Sequence, residues 1–199
     1  MRNATRQRQA ETRSVAGLVE QAWQAFNPPE RVSVAAHAAR HRMLANEGGG
    51  YVGRWRHSIV PYLVEPMECL TLLDFLTVAI VGPGQSAKTS AGENWFQYSV
   101  ESDPANMLWY MQTDDGVEAY VKNRINSMID LHDGMSSRQG LRSVDDSLHF
   151  KRFHGMTVEF LSATRSNLIN KSAGRILADE IDAYDPSLGD VKALLDVRR

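Results

Sequence analysis

The sequence predicts an α/β fold, a mostly parallel sheet flanked by helices, with a helical arm at its N-terminal end. Three observations predict it. Residues 75–81, Phe-Leu-Thr-Val-Ala-Ile-Val, form a continuously apolar run of strand length that enters a Gly/Pro-rich turn. Further strand-length runs alternate with helical patterns, which implies parallel pairing through crossovers. Residues 175–182, Arg-Ile-Leu-Ala-Asp-Glu-Ile-Asp, form a short apolar strand that ends in paired acids.

The elements follow in order. Val15, Leu18, Val19, Ala22, Trp23 and Phe26 recur at helical spacing within 12–27, and Asn27-Pro28-Pro29 breaks that helix. An Ala-rich helix is expected from about Pro29 to Asn46. Gly48-Gly49-Gly50 is a flexible joint, so residues 1–50 form an arm and 51–199 the domain. Within the domain, Pro61–Leu73 predicts a helix, 75–81 a strand with both faces covered, and Lys88 to about Val100 the helix after the loop. A strand over 106–112, a long amphipathic helix over 114–131, strands over 157–162 and 175–178, and a final helix from Asp190 to Val197 complete the pattern. Trp95, Trp109 and Phe160 fall in core elements and are assigned no chemistry.

Composition excludes several classes. The chain has 199 residues, 43% hydrophobic and 23% charged, enough for one domain with a real core. A net charge of -2 gives no global basic field for nucleic acid. Arg2, Arg6, Arg8 and Arg13, opposed only by Glu11, form a local basic cluster, read as a solvated face with partner binding as the alternative. Cys69 is the only cysteine, so no internal disulfide is possible and a reducing compartment fits. No run approaches the ~18 apolar residues of a membrane span, and no signal-peptide pattern opens the chain.

Gly82-Pro83-Gly84-Gln85-Ser86-Ala87-Lys88-Thr89 matches the phosphate-loop spacing G-x-x-x-x-G-K-[ST], with Ala87 in place of the second glycine. Alanine adds a methyl group and penalises positive φ, which weakens the match without excluding it. Backbone N–H groups of Gly84–Lys88 and the dipole of the following helix would cradle a β-phosphate. Lys88 would reach the β- and γ-phosphates of ATP, and the Thr89 hydroxyl would contact Mg²⁺. At the second motif, a parallel strand ending in Asp179-Glu180 places both acids at the carboxyl edge of the sheet, where open α/β sheets bind ligands. Asp179 would hold Mg²⁺ and Glu180 would orient and deprotonate a water. Together these Walker A-like and Walker B-like motifs predict a P-loop NTPase core. Asp182 and Asp185 read as turn or cap residues.

These motifs, in this order, resemble the large subunit of tailed-bacteriophage terminases, GpA type, from about Gly53 to Arg198. Arg56, Pro61-Tyr62 and Glu65-Pro66-Met67 are similar to the segment before the family's phosphate loop. Gln85 and Lys88-Thr89 match its Gln-x-Gly-Lys-Thr, apart from Ala87. Leu108–Thr113 and Phe153–Ala163 are similar to its intervening strands, and Asp179-Glu180-Ile181-Asp182 resembles its Asp-Glu-Val-Asp. The resemblance implies an ASCE-type ATPase that packages double-stranded viral DNA into a capsid in the host cytoplasm. It implies a homo-oligomeric ring at the portal of the procapsid and a small terminase subunit as partner, with the Arg-rich arm a candidate contact by position. The family pattern continues to a Ser-Thr-Pro-like coupling strand and a nuclease domain. Neither lies within these residues, so the expectation is a C-terminally incomplete ATPase domain without nuclease activity. The alternatives are a helicase-like P-loop NTPase and an inactive prophage remnant that only binds partners.

Other candidates are weaker. Arg165 is a candidate arginine finger that the resemblance does not support. His37 and His41 have metal-capable spacing but no evident third ligand, so a surface pair is expected. His149 and His154 flank Lys151-Arg152 on an expected hairpin, read as a solvated turn with phosphate contact as the alternative. Tyr62 and Trp55 are core residues or adenine-stacking candidates.

Overall fold

The computed structural model describes residues 32–45 and 51–196. The expected helix over 12–27, the Pro28-Pro29 break, the arginine cluster and the Gly48–Gly50 joint lie outside the described residues. The described elements run α1 (Val34–His41), β1 (Met43–Leu44), β2 (Gly53–Arg54), a 3₁₀ turn and α2 (Val64–Cys69), then α3 (Lys88–Glu101) and β3 (Met107–Met111). Next come α4 (Asp114–Tyr120), a π-helical turn (Val121–Ile125), α5 (Asn126–Leu131) and α6 (Asp133–Ser136). The chain then forms β4 (Phe150–Phe153), β5 (Met156–Ser162), α7 (Arg165–Asn170), β6 (Arg175–Ala178) and α8 (Val191–Asp196).

Strand order in the main sheet is β4-β5-β3-β6. β3 is parallel to both β5 and β6, while β4 is antiparallel to β5. Alternation along β3 assigns its two faces: Met107 and Trp109 enter one core, Leu108 and Tyr110 the other. The first face is covered by α3 and by the helix over 114–131, through Phe96, Val117, Val121 and Ile125. The second is covered by α7 and α8, through Leu168 and Val191. β3 is therefore buried on both sides, as a parallel strand between helical layers must be. A third cluster seats α1 and α2 against α3, through Val34, Ala38, Leu63, Met67, Ala91 and Tyr98.

The Ala-rich helix is shorter than expected. It stops at His41, because Arg42 adopts an extended backbone (φ −74°, ψ 124°) and Met43–Leu44 pair with Gly53–Arg54. Over Pro61–Leu73 only a 3₁₀ turn and the α2 helix form. The larger correction concerns 75–81. This run is not a strand: Leu76 is 79% exposed and Val81 96%. A strand exists only where its backbone pairs with a neighbour, and β6 pairs with β3 on one side alone among the described residues. Apolar composition predicts burial but cannot supply the partner edge.

Candidate functional site

The loop before α3 folds back on itself. The Lys88 ammonium donates to the carbonyls of Gly82 (2.9 Å) and Pro83 (2.7 Å). The Ser86 hydroxyl donates to Pro83 O at 2.7 Å, and the Tyr62 hydroxyl to Ser86 O at 3.1 Å. Gln85 and Ala87 both have φ +58°. Ala87 thus takes the left-handed conformation that a glycine adopts without strain, which identifies what the missing glycine would relieve. No side chain caps the first turn of α3, and no acid lies in it. Its N–H groups and positive dipole end remain free for an anion. A side chain on Gly84 would meet nothing within 4 Å, so this side of the loop is open.

The acidic strand end sits where the spacing places it. β6 ends at Ala178, level with Tyr110 of β3, and the Asp179 N–H extends the ladder by donating to Tyr110 O at 3.0 Å. The Tyr184 hydroxyl donates to the same carbonyl at 2.9 Å, clamping the turn beyond the acids. Asp179 and Thr89 meet: the Thr89 hydroxyl donates to Asp179 Oδ2 at 2.8 Å. Gly92 permits this approach. A Cβ there would lie 2.4 Å from Leu177 Cδ1, so any side chain at 92 requires Leu177 to shift or α3 to move away from β6. Burial pushes the Asp179 carboxyl above the usual range, and the charges of Glu180 and Glu93 add to that against the Thr89 bond. Glu180 is exposed and has φ +52°, a third strained non-glycine backbone in one site.

A pocket of about 250 Å³ opens beside these groups. Thr89, Asp179 and Glu180 form one wall; residues 111–113 at the end of β3, with Gly116 and Tyr120 of α4, form the other. It is smaller than the roughly 300–1,000 Å³ of sites that enclose a whole drug-sized ligand. It suits one end of a ligand whose remainder lies along the open loop. For a divalent cation the donor set fits a shared site. Thr89 and Asp179 offer hard oxygen donors side by side, but no group of three or more His, Cys, Asp or Glu among the described residues could hold a metal ion. Such a pair suits Mg²⁺ that arrives with phosphate oxygens to complete its shell.

Other candidates are separated from the site or consumed by structure. Trp55 is buried and donates to His57 Nδ1 at 3.1 Å, whereas Tyr62 is 56% exposed beside the loop. Arg165 begins α7 and is exposed, outside the pocket. His37 is not on the surface: it is buried and pairs with Glu101 at 3.0 Å, its ring 4.8 Å from that of His41. Lys151 is buried against Asp146, and Arg152 shares the carboxylate of Asp145 (2.8 Å) with Arg142 (2.9 Å), so the hairpin cations are held in ion pairs. Asp185 caps a turn by accepting from the Ser187 N–H at 2.8 Å. Sequence reasoning missed Gln112, Thr113, Tyr120 and Glu93. For Glu93 a signal existed, since it lies four residues after Thr89 on the same helix face. For Tyr120 none did, because its place depends on how the helix over 114–131 packs.

The family described as phage terminase large subunit gpA, ATPase domain, matches residues 49–199. No curated protein and no solved structure matches the chain.

Proposed function

The chain belongs to the phage terminase large subunit gpA family through its ATPase domain, and from that premise we propose that it hydrolyses ATP to drive double-stranded viral DNA into a capsid. The Thr89–Asp179 hydrogen bond of 2.8 Å carries the proposal, because it joins the phosphate loop to the acidic strand end. The ATP phosphates would lie along Gly82, Gly84, Gln85, Ser86 and Ala87, at the N-terminus of α3. Lys88 would exchange the carbonyls of Gly82 and Pro83 for phosphate oxygens, replacing neutral acceptors of its charged donor by anionic ones. Thr89 and Asp179 would hold Mg²⁺, which when bound neutralises charge on the transferred phosphoryl group. Glu180 would orient a water and accept its proton as the water oxygen bonds to the γ-phosphorus and the bond to ADP breaks. Tyr62, exposed beside the loop, is the candidate for stacking on adenine.

The wider role follows from the family. Partners would be viral DNA, a small terminase subunit and the portal of the procapsid, with several copies in a ring, in the host cytoplasm. No helix of the described residues is long and apolar enough to cross a membrane. A second reading, a protein that binds nucleotide or partners without turnover, draws on residues 75–81 standing outside the sheet.

ATP binding and hydrolysis by the purified chain, with and without DNA, test the proposal. Lys88→Ala should weaken ATP binding at least about tenfold, and Glu180→Gln should keep ATP while losing about a hundredfold or more in turnover. Unchanged ATP affinity in Lys88→Ala would sink the site. Binding without hydrolysis in the parent chain would select the second reading.

A further inference from the structure

Glu93 is a buried carboxylate, 1% exposed, one helical turn beyond Thr89. Three side chains converge on it. Arg42 Nη2 donates to Oε2 at 2.6 Å, and both Arg124 Nη2 (2.9 Å) and the Tyr120 hydroxyl (2.9 Å) donate to Oε1. Two arginines face this one carboxylate, so its burial is compensated by ion pairs and hydrogen bonds. The π-helical turn at Val121–Ile125 begins immediately after Tyr120 and contains Arg124, at the point where that helix meets Glu93. Such turns insert locally into α-helices and occur often at functional sites. The Tyr120 ring packs on Trp109, with centroids 5.5 Å apart, and walls the pocket that Asp179 and Glu180 line. Thus the ring is fixed from below by Trp109 and at its tip by Glu93.

We propose that Glu93 and Tyr120 are a positioning pair for the terminal phosphate. Glu93, anchored by Arg42 and Arg124, holds the Tyr120 hydroxyl, and the fixed ring sets how far the phosphate and the attacking water can stand from Asp179 and Glu180. This rests on the ATPase reading. Neither residue need touch the reacting atoms; the pair acts by shaping the wall opposite them. The pair should therefore act on the planar, in-line phosphoryl end of the transition state more than on a bound diphosphate.

The test compares two ligands. The parent chain, Tyr120→Phe and Glu93→Gln are titrated with Mg²⁺·ADP alone and with Mg²⁺·ADP plus aluminium fluoride, a mimic of the transferring phosphoryl group. Folding of each variant is followed by thermal unfolding. Tyr120→Phe keeps the ring and removes only the bond to Glu93, whereas Glu93→Gln removes the charge that anchors Arg42 and Arg124 and so loosens the acceptor that holds the Tyr120 hydroxyl. Both variants should bind ADP within about twofold of the parent and lose about tenfold or more for the fluoride complex, as expected of a wall whose position matters only in the transition state. Parent-like binding of both ligands by folded variants overturns the proposal. So does a loss confined to unfolding, with the folded fraction binding like the parent, since the pair is then merely structural. Failure of the parent chain to bind either ligand overturns the ATPase reading itself, and the proposal with it.

Discussion

The Thr89 hydroxyl donates to Asp179 Oδ2 at 2.8 Å, joining the first turn of α3 to the end of β6 across 90 residues of chain. Without Thr89, Asp179 keeps its place through the Tyr110 carbonyl but loses the neighbouring oxygen donor. Thr89→Ala should therefore leave the fold intact and reduce the gain in ATP affinity produced by magnesium by about tenfold, about 1.4 kcal/mol. Titration with ATP in the presence of magnesium and of a chelator measures it. A magnesium effect equal to the parent's would remove Thr89 from the cation site.

Ala87 sits at φ +58°. The left-handed conformation costs alanine about 1–2 kcal/mol. Glycine avoids that cost but loses roughly 0.5–1 kcal/mol through the freedom it has in the unfolded chain. The first effect is the larger, so Ala87→Gly should stabilise the domain by about 0.5 kcal/mol, a rise of about 1–2 °C in Tm. Thermal unfolding decides the sign.

Gly92 faces Leu177, whose Cδ1 would lie 2.4 Å from an added methyl group. Gly92→Ala gains about 1 kcal/mol of helix propensity. Forcing α3 away from β6 costs typically 1–3 kcal/mol of overpacking, so a net loss of about 1 kcal/mol is expected. Leu177 ends two residues before Asp179, and ATP affinity should fall with stability. A variant more stable than the parent would show that Leu177 turns aside freely.

His132 is buried and neutral by its bonds: Nδ1–H donates to Met128 O at 2.6 Å, and Nε2 accepts from the Met43 N–H at 2.9 Å. Burial lowers its pKa, and Arg42 and His37 add to this against Met128 O and Glu101. The unfolded chain therefore takes up the proton first as pH falls. The stability linked to His132 is complete above the ordinary histidine value of about 6.5 and is lost progressively below it. The unfolding free energy should decrease from pH 7.5 to 5.5, and His132→Gln should flatten that slope. Denaturant melts across this window check it. Glu101 acts lower in the scale: burial raises its pKa, but the bonds with His37 and Gln97 outweigh that and leave it depressed, so its contribution fades only in the carboxylate range.

Local chemistry made much of this protein legible. β6 occupies Arg175–Ala178, as its apolar run and terminal acids predict, and α3 begins at Lys88, as the loop spacing predicts. Periodicity also marks the helix over 114–131, though not its π-helical turn, which lies where Tyr120 and Arg124 reach Glu93. The run 75–81 shows the opposite case. Its composition is that of a buried strand, yet burial and pairing belong to neighbours that a local pattern does not contain. His37 likewise reads as half of a surface pair and is instead core, because α1 packs on α3.

By itself the sequence determined the α/β class, the phosphate-loop spacing with its alanine, and the two acids that follow a short strand. Those are properties of adjacent residues, set by backbone preference and side-chain chemistry. Only the tertiary structure decided that Thr89 reaches Asp179, that Gly92 makes room for it, and that Tyr120 stands opposite on a hydrogen bond to Glu93. Each of those contacts joins residues from different elements, and their distances depend on how closely α3 packs against β6 and against the helix over 114–131.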